Sequence, residues 1–183
     1  LRPDELRVRI VACGICHTDL AVRDKQLPVP LPVILGHEGA GIVEEVGSAV
    51  TVAQPGDRVV MSFNSCGECP SCEVDAPTYC YNFYPNNWSG MRADGTPAVF
   101  HQGQPMNANF FGQSAFATHA IAHQRNVVKV PERAAELPLE QLAPIGCGLM
   151  TGAGAVLRSM QVREGLPIAV FGTGTVGMAA IMA

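Results

Sequence analysis

The chain has 183 residues, enough for one well-packed core and part of a second. Because 48% of the residues are hydrophobic and only 15% are charged, the composition excludes an intrinsically disordered protein. A formal net charge of -4 gives no reason to expect nucleic acid as a partner. Glycine and proline are frequent, at 19 and 14 residues, which favours short strands and turns over a helical bundle.

Alternation of apolar and polar residues predicts that most of the chain is β-structure. The first strand is predicted where Leu6, Val8, Ile10 and Ala12 recur at every second position. Further strands are predicted at residues 41–46, 58–61, 114–122 and 126–131, and helical segments at residues 137–144 and 151–160. We therefore expect a β-rich domain with few helices.

Three distant segments carry residues that suit a metal ion with one open coordination position. Cys16 follows the first strand, His37 and Glu38 stand side by side before the second, and Cys147 lies between two glycines. Two thiolates and one imidazole suit a zinc ion that keeps its fourth position free, as catalytic zinc sites do. The HExxH pattern of zinc proteases is absent, because Gly41 stands three residues after Glu38.

Seven cysteines are the main anomaly of the composition. An odd number argues against a complete disulfide framework. Four of the seven fall within residues 66–80, which suggests metal binding in a reducing compartment and therefore a cytoplasmic protein. Cys13 and Cys16 also form a C-x-x-C pair, so a redox dithiol is the alternative to metal binding for Cys16.

The second metal site is predicted from a cluster of cysteines spaced C-x2-C-x2-C-x7-C, namely Cys66, Cys69, Cys72 and Cys80. Four thiolates on a short loop make a closed tetrahedral zinc site, which holds together a loop too polar to bury itself. An iron–sulfur cluster is the main alternative, but the bacterial ferredoxin pattern has a shorter last spacing and a proline after the fourth cysteine. Here Tyr81 follows, and the acidic balance disfavours a nucleic-acid-binding zinc ribbon.

The run from 165 to 183 contains no charged residue and could be mistaken for a membrane span. We expect a buried strand at residues 166–171 and a helix at 176–183 instead, with no membrane partner. Directly after the strand, Gly172, Gly174 and Gly177 fit G-x-G-x-x-G, which lets a pyrophosphate approach a helix N-terminus. The acidic residue that would separate NAD from NADP falls beyond Ala183, and both ends look cut, so we expect a fragment.

Together these motifs resemble the zinc-containing medium-chain alcohol dehydrogenases. The matching segments are CGICHTD, GHEGAGIVEEVG, the four-cysteine loop, IGCGLMTGAGA and VFGTGTVG. Within that family, FFGQSAFATHAIAHQRNVVKVP and RADGTP are most similar to the aryl-alcohol (benzyl-alcohol) dehydrogenases. The resemblance implies a β-rich GroES-like catalytic domain at residues 1–150, with a structural zinc lobe at 66–80. Residues 151–183 would be a linking helix and the first strand-turn-helix of an α/β Rossmann NAD-binding domain, truncated.

The resemblance also implies roles around the metals. The first site, the catalytic zinc, would be held by Cys16, His37 and Cys147, with Glu38 as an occasional or outer ligand. The second site, the structural zinc, would be held by Cys66, Cys69, Cys72 and Cys80.

Two neighbours of Cys16 would serve the catalytic zinc. Asp19 would orient His37, as ligating histidines usually require, and Thr18 would accept the alcohol proton. One position departs from the pattern of liver-type and many yeast-type members. Ala21 stands where they carry a histidine that closes the proton relay.

The cofactor roles implied by the resemblance fall on other residues. His17 would face the cofactor pyrophosphate, Thr151 would pack near the nicotinamide, and Phe63 would line the substrate pocket. The dinucleotide would be cradled by Gly172, Gly174 and Gly177.

The function implied is reversible, zinc- and NAD-dependent oxidation of a primary alcohol of the benzyl type to the aldehyde. Two zinc ions per subunit and a homo-dimer or homo-tetramer are expected, and NADP stays open as the cofactor. The alternatives are a polyol or other alcohol dehydrogenase of the same superfamily, or an inactive zinc-binding fragment. Because most of the Rossmann sheet is absent from the sequence, we expect the 183-residue chain alone to bind NAD weakly or not at all and not to turn over.

Overall fold

The computed structural model describes residues 1–183, and a curled antiparallel sheet of five strands is its main element. In chain order the strands are β1 (Glu5–Gly14), β2 (Glu38–Val46), β3 (Arg58–Met61), β4 (Val99–His101), β5 (Gln104–Met106), β6 (His119–His123) and β7 (Val127–Lys129). The large sheet has the order β6-β1-β2-β3-β7, and β4 and β5 form a separate hairpin. Two register shifts between β1 and β2 add the local twist that curls the sheet. The predicted β-rich domain is confirmed.

Alternate residues of the central strands fill the main core on one face of the sheet. Its largest members are Leu6, Val8, Val43, Val59 and Met61, each 0% or 1% exposed. Burying each side chain of this size stabilises the fold by about 1.5–3 kcal/mol. This core therefore fixes the register of β1, β2 and β3, because a shift by one residue would turn these side chains to the other face.

The helices are short. They are α1 (His17–Arg23), α2 (Pro70–Glu73), α3 (Phe83–Asn87), α4 (Leu139–Leu142), α5 (Gly148–Gly154) and α6 (Thr175–Met182). Single 3-10 turns occur at Pro77–Tyr79, Phe110–Gly112, Gln124–Asn126, Glu132–Ala134 and Ala143–Gly146, and a π-helical turn at Ala155–Ser159 extends α5. None of these helices has the length and apolarity needed to cross a membrane.

The second face of the sheet brings the chain towards Cys147. Ala40 of β2 and Val60 of β3 pack against Leu139 and Leu142 of α4. The chain then passes through the 3-10 turn and places Cys147 directly before α5. The apolar contact of α4 thus determines where this cysteine lies relative to the start of β2.

Helices α5 and α6 pack with their backbones almost in contact. A Cβ added to Gly152 would lie 2.0 Å from the carbonyl oxygen of Val176, and one added to Gly148 would lie 2.9 Å from the Thr175 side chain. Glycine is therefore required at position 152. This contact holds the glycine-rich turn at residues 172–174 beside the first turn of α5.

The structure corrects the predicted strand at residues 166–171. This segment belongs to neither sheet, and Phe171 is 97% exposed. A strand needs a neighbour for its backbone N–H and C=O groups, and no other strand of this chain lies beside it. Helix α6 does follow the glycines, close to the predicted position.

Two further predictions are corrected in part. The strand predicted at residues 114–122 begins only at His119, because Ser114 has a left-handed backbone (φ 52°) and its hydroxyl bonds the Phe110 N–H and the Ile34 carbonyl. Helix α5 begins before the predicted residue 151 and changes to a π-helical turn at Ala155. Helix α1 was not predicted.

A carboxylate clamp ties the segment after α3 to the first strand. Glu5 is 6% exposed and accepts two hydrogen bonds from the Arg92 guanidinium, at 2.5 and 2.9 Å. The backbone N–H of Arg2 donates a third bond at 3.0 Å. Burial by itself would raise the pKa of Glu5, but these donors outweigh it and lower the pKa below the ordinary 4.5.

We predict that Glu5→Gln lowers the free energy of unfolding by about 2 kcal/mol at neutral pH. The substitution removes the negative charge opposite Arg92 and one of the two oxygens that accept its hydrogen bonds. Since the folded pKa of Glu5 lies below 4.5, the difference should be complete above that pH and shrink as the pH falls through the folded pKa. Urea unfolding at neutral and acidic pH measures it. Glu45→Gln is the control, because Glu45 is 51% exposed and its pairing with Arg7 should contribute less than about 1 kcal/mol. Equal losses in the two variants would contradict the prediction.

Candidate active site and metal centres

Three segments that lie far apart in the chain meet at one end of the sheet, where two helices begin. Cys16 directly precedes α1, His37 and Glu38 stand at the start of β2, and Cys147 directly precedes α5. One ligand atom from each of these four residues lies within 4.8 Å of the others. The two sulfur atoms, of Cys16 and Cys147, are 3.9 Å apart. The structure therefore brings together all four residues predicted for the first metal site.

His37 has the environment of a metal ligand. It is 2% exposed, and its Nδ1 lies 3.2 Å from an Asp19 carboxylate oxygen. Its Nε2 is buried and has no hydrogen-bond partner. A buried nitrogen without a partner costs about 1–3 kcal/mol, and a metal ion held by the neighbouring thiolates removes that cost. The residues present thus fit a zinc ion.

Asp19 connects two of the ligand segments from the interior. It is 2% exposed, and one oxygen accepts from His37 and from the backbone N–H of Gly36 at 3.0 Å. The other oxygen accepts from the backbone N–H of Cys16 at 3.0 Å, which also caps the start of α1. Burial opposes its charge, but these bonds prevail and lower the pKa of Asp19. A carboxylate in this position fixes the His37 ring with Nε2 free to bind metal.

The two thiols differ in their surroundings. Burial opposes ionisation of Cys16, but hydrogen bonds from Thr18 and the nearby His37 imidazole outweigh it and lower the pKa of Cys16. The Thr18 hydroxyl oxygen is 3.6 Å from the Cys16 sulfur. Burial and the adjacent charge of Cys16 raise the pKa of Cys147. Without a cation between them the two thiolates would repel each other, so this pair favours a bound metal ion.

The redox alternative for Cys13 and Cys16 finds no support in the geometry. Cys13 packs against the main core, and its sulfur bonds the carbonyl oxygen of Gly14 at 3.4 Å. Burial raises the pKa of Cys13 to about 12, which disfavours the thiolate that a redox dithiol needs.

Glu38 occupies a space that exists only because residue 14 is glycine. Glu38 is 5% exposed, and a Cβ on Gly14 would lie 2.0 Å from one of its carboxylate oxygens. The carboxylate thereby reaches the ligand group beside the two cysteines. Gly14 in the motif thus serves the site as well as the turn after β1.

The four clustered cysteines form a second, separate group. The sulfur of Cys66 lies 3.5 Å from that of Cys80 and 3.9 Å from that of Cys72, and all four sulfurs are within 4.8 Å of one another. Sulfurs bound to one zinc at 2.3 Å in a tetrahedron are about 3.8 Å apart. None of the cysteines forms a disulfide. The geometry fits the closed site that the spacing predicts.

Two cavities adjoin the first metal group. A cleft of about 500 Å³ is lined by Cys16, His17, Glu38 and the glycine-rich turn with Gly172, Gly174 and Gly177. A smaller cavity of about 120 Å³ is lined by His37, Phe63, Phe83, Phe111, Cys147, Met150 and Thr151. Ligand residues of the same metal group therefore face both cavities. His17 and the three glycines predicted to bind the cofactor line the larger cleft, and Phe63 and Thr151 line the smaller cavity. Thr18 lines neither and lies beside the Cys16 sulfur.

Aromatic rings make up most of the smaller cavity. Phe111 stacks on the His37 ring with centroids 4.5 Å apart, and Phe83 lies 6.0 Å from Phe111 and 6.4 Å from Phe63. Trp88 backs this group, 5.6 Å from Phe83. These separations are typical of favourable aromatic pairs. The result is a narrow apolar slot that leads to the metal ligands.

Sequence reasoning missed Phe83 and Phe111. Phe83 lies in the loop-rich stretch where no periodic pattern occurs. Phe111 has a left-handed backbone (φ 51°) in a turn with Asn109, Gly112 and Ser114, which also have positive φ. In the sequence, the one signal of this turn was Gly112 directly after Phe110 and Phe111.

The profile of the family described as "Alcohol dehydrogenase GroES-like domain" matches residues 2–132. The chain therefore belongs to this family, the zinc-containing medium-chain alcohol dehydrogenases. Among curated proteins it is 49% identical over 180 residues to the geraniol dehydrogenase of Castellaniella defragrans, covering 98% of this chain and 47% of that protein. A probable alcohol dehydrogenase of a Pseudomonas species is 51% identical over 170 residues, with 92% and 53% covered. The chain thus spans about half the length of the curated relatives it matches.

Solved structures agree with this assignment. The alcohol dehydrogenase zinc-binding domain protein from Burkholderia ambifaria superposes with a TM-score of 0.93 at 51% identity, covering 99% of this chain and 48% of that one. The benzyl alcohol dehydrogenase from Acinetobacter calcoaceticus gives a TM-score of 0.90 at 43% identity, covering 100% and 48%. The GroES-like fold and the resemblance to benzyl-alcohol dehydrogenases are confirmed.

We predict that Asp19→Asn empties the first metal site and leaves the second intact. The amide keeps one acceptor but turns its N–H₂ group either towards His37 and the Gly36 N–H, or towards the Cys16 N–H. Either the His37 ring or the Cys16 backbone then loses its partner. Elemental analysis after dialysis against a chelator should show zinc falling from about two to about one per chain, as outer carboxylates affect metal affinity about 10- to 100-fold.

Asp24→Asn is the matched control. Asp24 ends the same helix, but its carboxylate is 46% exposed and pairs with Arg23. This variant should keep both metals. Retention of two zinc ions by Asp19→Asn would contradict the orienting role of Asp19.

Proposed function

We propose that this chain forms the zinc-binding catalytic part of an NAD-dependent alcohol dehydrogenase that oxidises aromatic primary alcohols to aldehydes, and catalyses the reverse reduction. The observation that carries the proposal is the buried, unpartnered Nε2 of His37 beside Cys16 and Cys147, on the border of an aromatic cavity and a glycine-rich cleft. Zinc bound by these residues would supply a Lewis acid that lowers the pKa of an alcohol hydroxyl.

Other residues of the chain would transfer the proton, contact the cofactor and complete the metal coordination. The Thr18 hydroxyl, 3.6 Å from the Cys16 sulfur, accepts the alcohol proton and passes its own towards the cleft. His17 is exposed at that cleft and would meet the cofactor phosphates. With Cys16, His37 and Cys147 as ligands, a zinc ion would keep one coordination position for the substrate. When no substrate is bound, the nearby Glu38 carboxylate can take that position.

The aromatic cavity favours flat, apolar substrates. Phe63, Phe83 and Phe111 form its walls, and Met150 adds a pliable apolar contact. A polyol would have to leave its hydroxyl groups without partners against these rings, which is costly. One relative is named for benzyl alcohol and another for geraniol, and both alcohols carry a π-system on the carbon next to CH₂OH. This supports an aromatic or similarly unsaturated primary alcohol.

We assign the cofactor to the larger cleft. Gly172 has φ 97°, and a Cβ on Gly177 would lie 2.0 Å from the Gly172 carbonyl oxygen, so both positions need glycine. With Gly174 directly before α6, the turn is suited to a dinucleotide pyrophosphate. Thr151 on α5 would pack near the nicotinamide. On this proposal residues 1–150 are the catalytic domain and residues 151–183 begin a Rossmann domain. The complete protein is a homo-dimer or homo-tetramer that uses NAD, with NADP as the alternative cofactor.

The test compares the chain with a chimera in which it is joined to the remaining half of the benzyl alcohol dehydrogenase. The chimera, loaded with zinc, should reduce NAD with benzyl alcohol and not with sorbitol, and its Cys16→Ser variant should be inactive. The chain alone should show no turnover, because a dinucleotide needs the crevice of a complete sheet. A chimera that oxidises sorbitol in preference to benzyl alcohol, or one equally active with Ser at position 16, would contradict the proposal.

We further predict that Phe111→Leu in the chimera raises the KM for benzyl alcohol by about threefold to tenfold, because one aromatic pair contributes about 0.5–1.5 kcal/mol. The KM for ethanol, which is too small to stack on the ring, should change little. Steady-state kinetics with both alcohols measure the ratio. Phe100→Leu is the control, since Phe100 is 60% exposed on the β4–β5 hairpin. A parallel rise for both alcohols would show that Phe111 does not select the substrate.

A further inference from the structure

Gln113 has a buried carboxamide that bonds the backbone on either side of Glu38, next to the His37 ligand. It is 2% exposed, and its Oε1 accepts from the backbone N–H of Gly39 at 3.0 Å. Its Nε2 donates to the carbonyl oxygen of His37 at 2.9 Å. Gly39 is the second residue of β2 and His37 directly precedes the strand, so one side chain fixes both ends of the segment that carries His37 and Glu38.

The second N–H of the same amide bonds the backbone at the end of β3. Nε2 also donates to the carbonyl oxygen of Ser62, directly after β3, at 3.0 Å. The Ser62 hydroxyl in turn donates to the carbonyl oxygen of Gly146 at 2.7 Å. Gly146 immediately precedes Cys147, so an unbroken hydrogen-bonded bridge runs from the backbone of His37 to the backbone of Cys147.

The far end of this bridge packs closely against the end of β3. A Cβ on Gly146 would lie 1.9 Å from the carbonyl oxygen of Met61, so the chain before Cys147 is pressed against the end of β3. At the near end, a Cβ on Gly39 would lie 2.8 Å from the Gln113 Oε1 and 2.5 Å from the Met61 side chain. Glycines at both ends therefore permit the close approach that the bridge requires.

This bridge complements the contact made by Asp19. Asp19 connects Cys16 to His37, through their backbone and ring nitrogens. Nothing in that contact reaches Cys147. The Gln113–Ser62 bridge supplies the missing connection, from His37 to Cys147. Each of the three metal-ligand segments is then tied to another by a buried polar side chain.

We infer that Gln113 is a positioning residue, which, through Ser62, sets the separation of His37 and Cys147 in the first metal site. The inference rests on the zinc site of the proposed function. A carboxamide suits this task, because it is planar, uncharged at any pH and offers two donors and an acceptor at fixed angles. Its loss leaves the carbonyl oxygen of His37 without this donor and leaves that of Ser62 with only the longer bond from the Asn126 amide, at 3.3 Å. The two ligand segments are then free to move apart.

The test uses the purified chain loaded with cobalt(II), whose absorption bands depend on coordination geometry. Subtracting the spectrum of Cys16→Ser, in which only the four-cysteine site is complete, isolates the first site. Gln113→Met removes all three hydrogen bonds at similar volume, and Ser62→Ala removes only the bond to Gly146. Both variants should shift the isolated bands and release the metal of this site to a chelator about tenfold faster, while the four-cysteine site keeps its wild-type rate.

Ser114→Ala is the matched control. Its hydroxyl is also buried in the turn that carries Gln113, but it bonds Phe110 and Ile34 and reaches neither His37 nor Cys147. This variant should lower thermal stability without changing the isolated spectrum or the release rate. Wild-type spectra and rates in both Gln113→Met and Ser62→Ala would overturn the inference. If Gln113→Met does not fold, Ser62→Ala decides alone.

Failure of the inference can be told apart from failure of the proposed function. A wild-type chain that takes up no cobalt beyond that of Cys16→Ser would overturn both, because no first metal site would exist. A wild-type chain with the additional cobalt and unchanged variants would overturn the role of Gln113 only.

Discussion

Asp19 and His37 meet in the interior at 3.2 Å, each only 2% exposed, and the position of the metal ligands depends on this contact. A buried carboxylate is stable only when its oxygens are fully used, and here they accept from Gly36, His37 and Cys16. The same bonds start α1 and hold the chain before β2. Local secondary structure and the ligand set therefore cannot be separated, since a change that releases the carboxylate also frees the histidine ring.

The two metal groups differ in how much of the fold each requires. The four-cysteine group closes within residues 66–80, so few residues must be ordered before a metal can bind. The sulfurs of Cys16 and Cys147, in contrast, are 131 residues apart in sequence. They meet only once β1, β2 and the α4 contact are in place. The four-cysteine group can thus assist folding, whereas the site of Cys16, His37 and Cys147 depends on it.

The sequence predicted the parts of the site that have a local pattern. Alternation located β1, β2 and β3, and cysteine spacing located the four-cysteine group. It did not predict Gln113 or Phe111, whose roles come from contacts with β2, with the end of β3 and with His37. Apolar character at residues 166–171 suggested a strand, but a strand is made by its neighbour, and no neighbour is present. Patterns with short sequence separation were therefore reliable. Among distant residues, the meeting of Cys16, His37 and Cys147 was predicted from their ligand chemistry and the family resemblance, but the packing around them was not.

The glycine contact between α5 and α6 has a mechanical consequence. No side chain separates Gly152 from the Val176 backbone, so neither helix can slide past the other without losing the contact. The two helices would therefore move as a single lever, with Cys147 at its inner end and the glycine-rich turn beside it. Cys16 and His37 belong to the sheet side of the site. A rotation of this lever would move the Cys147 sulfur relative to Cys16 and His37, and would link its position to the width of the cleft beside the glycine-rich turn.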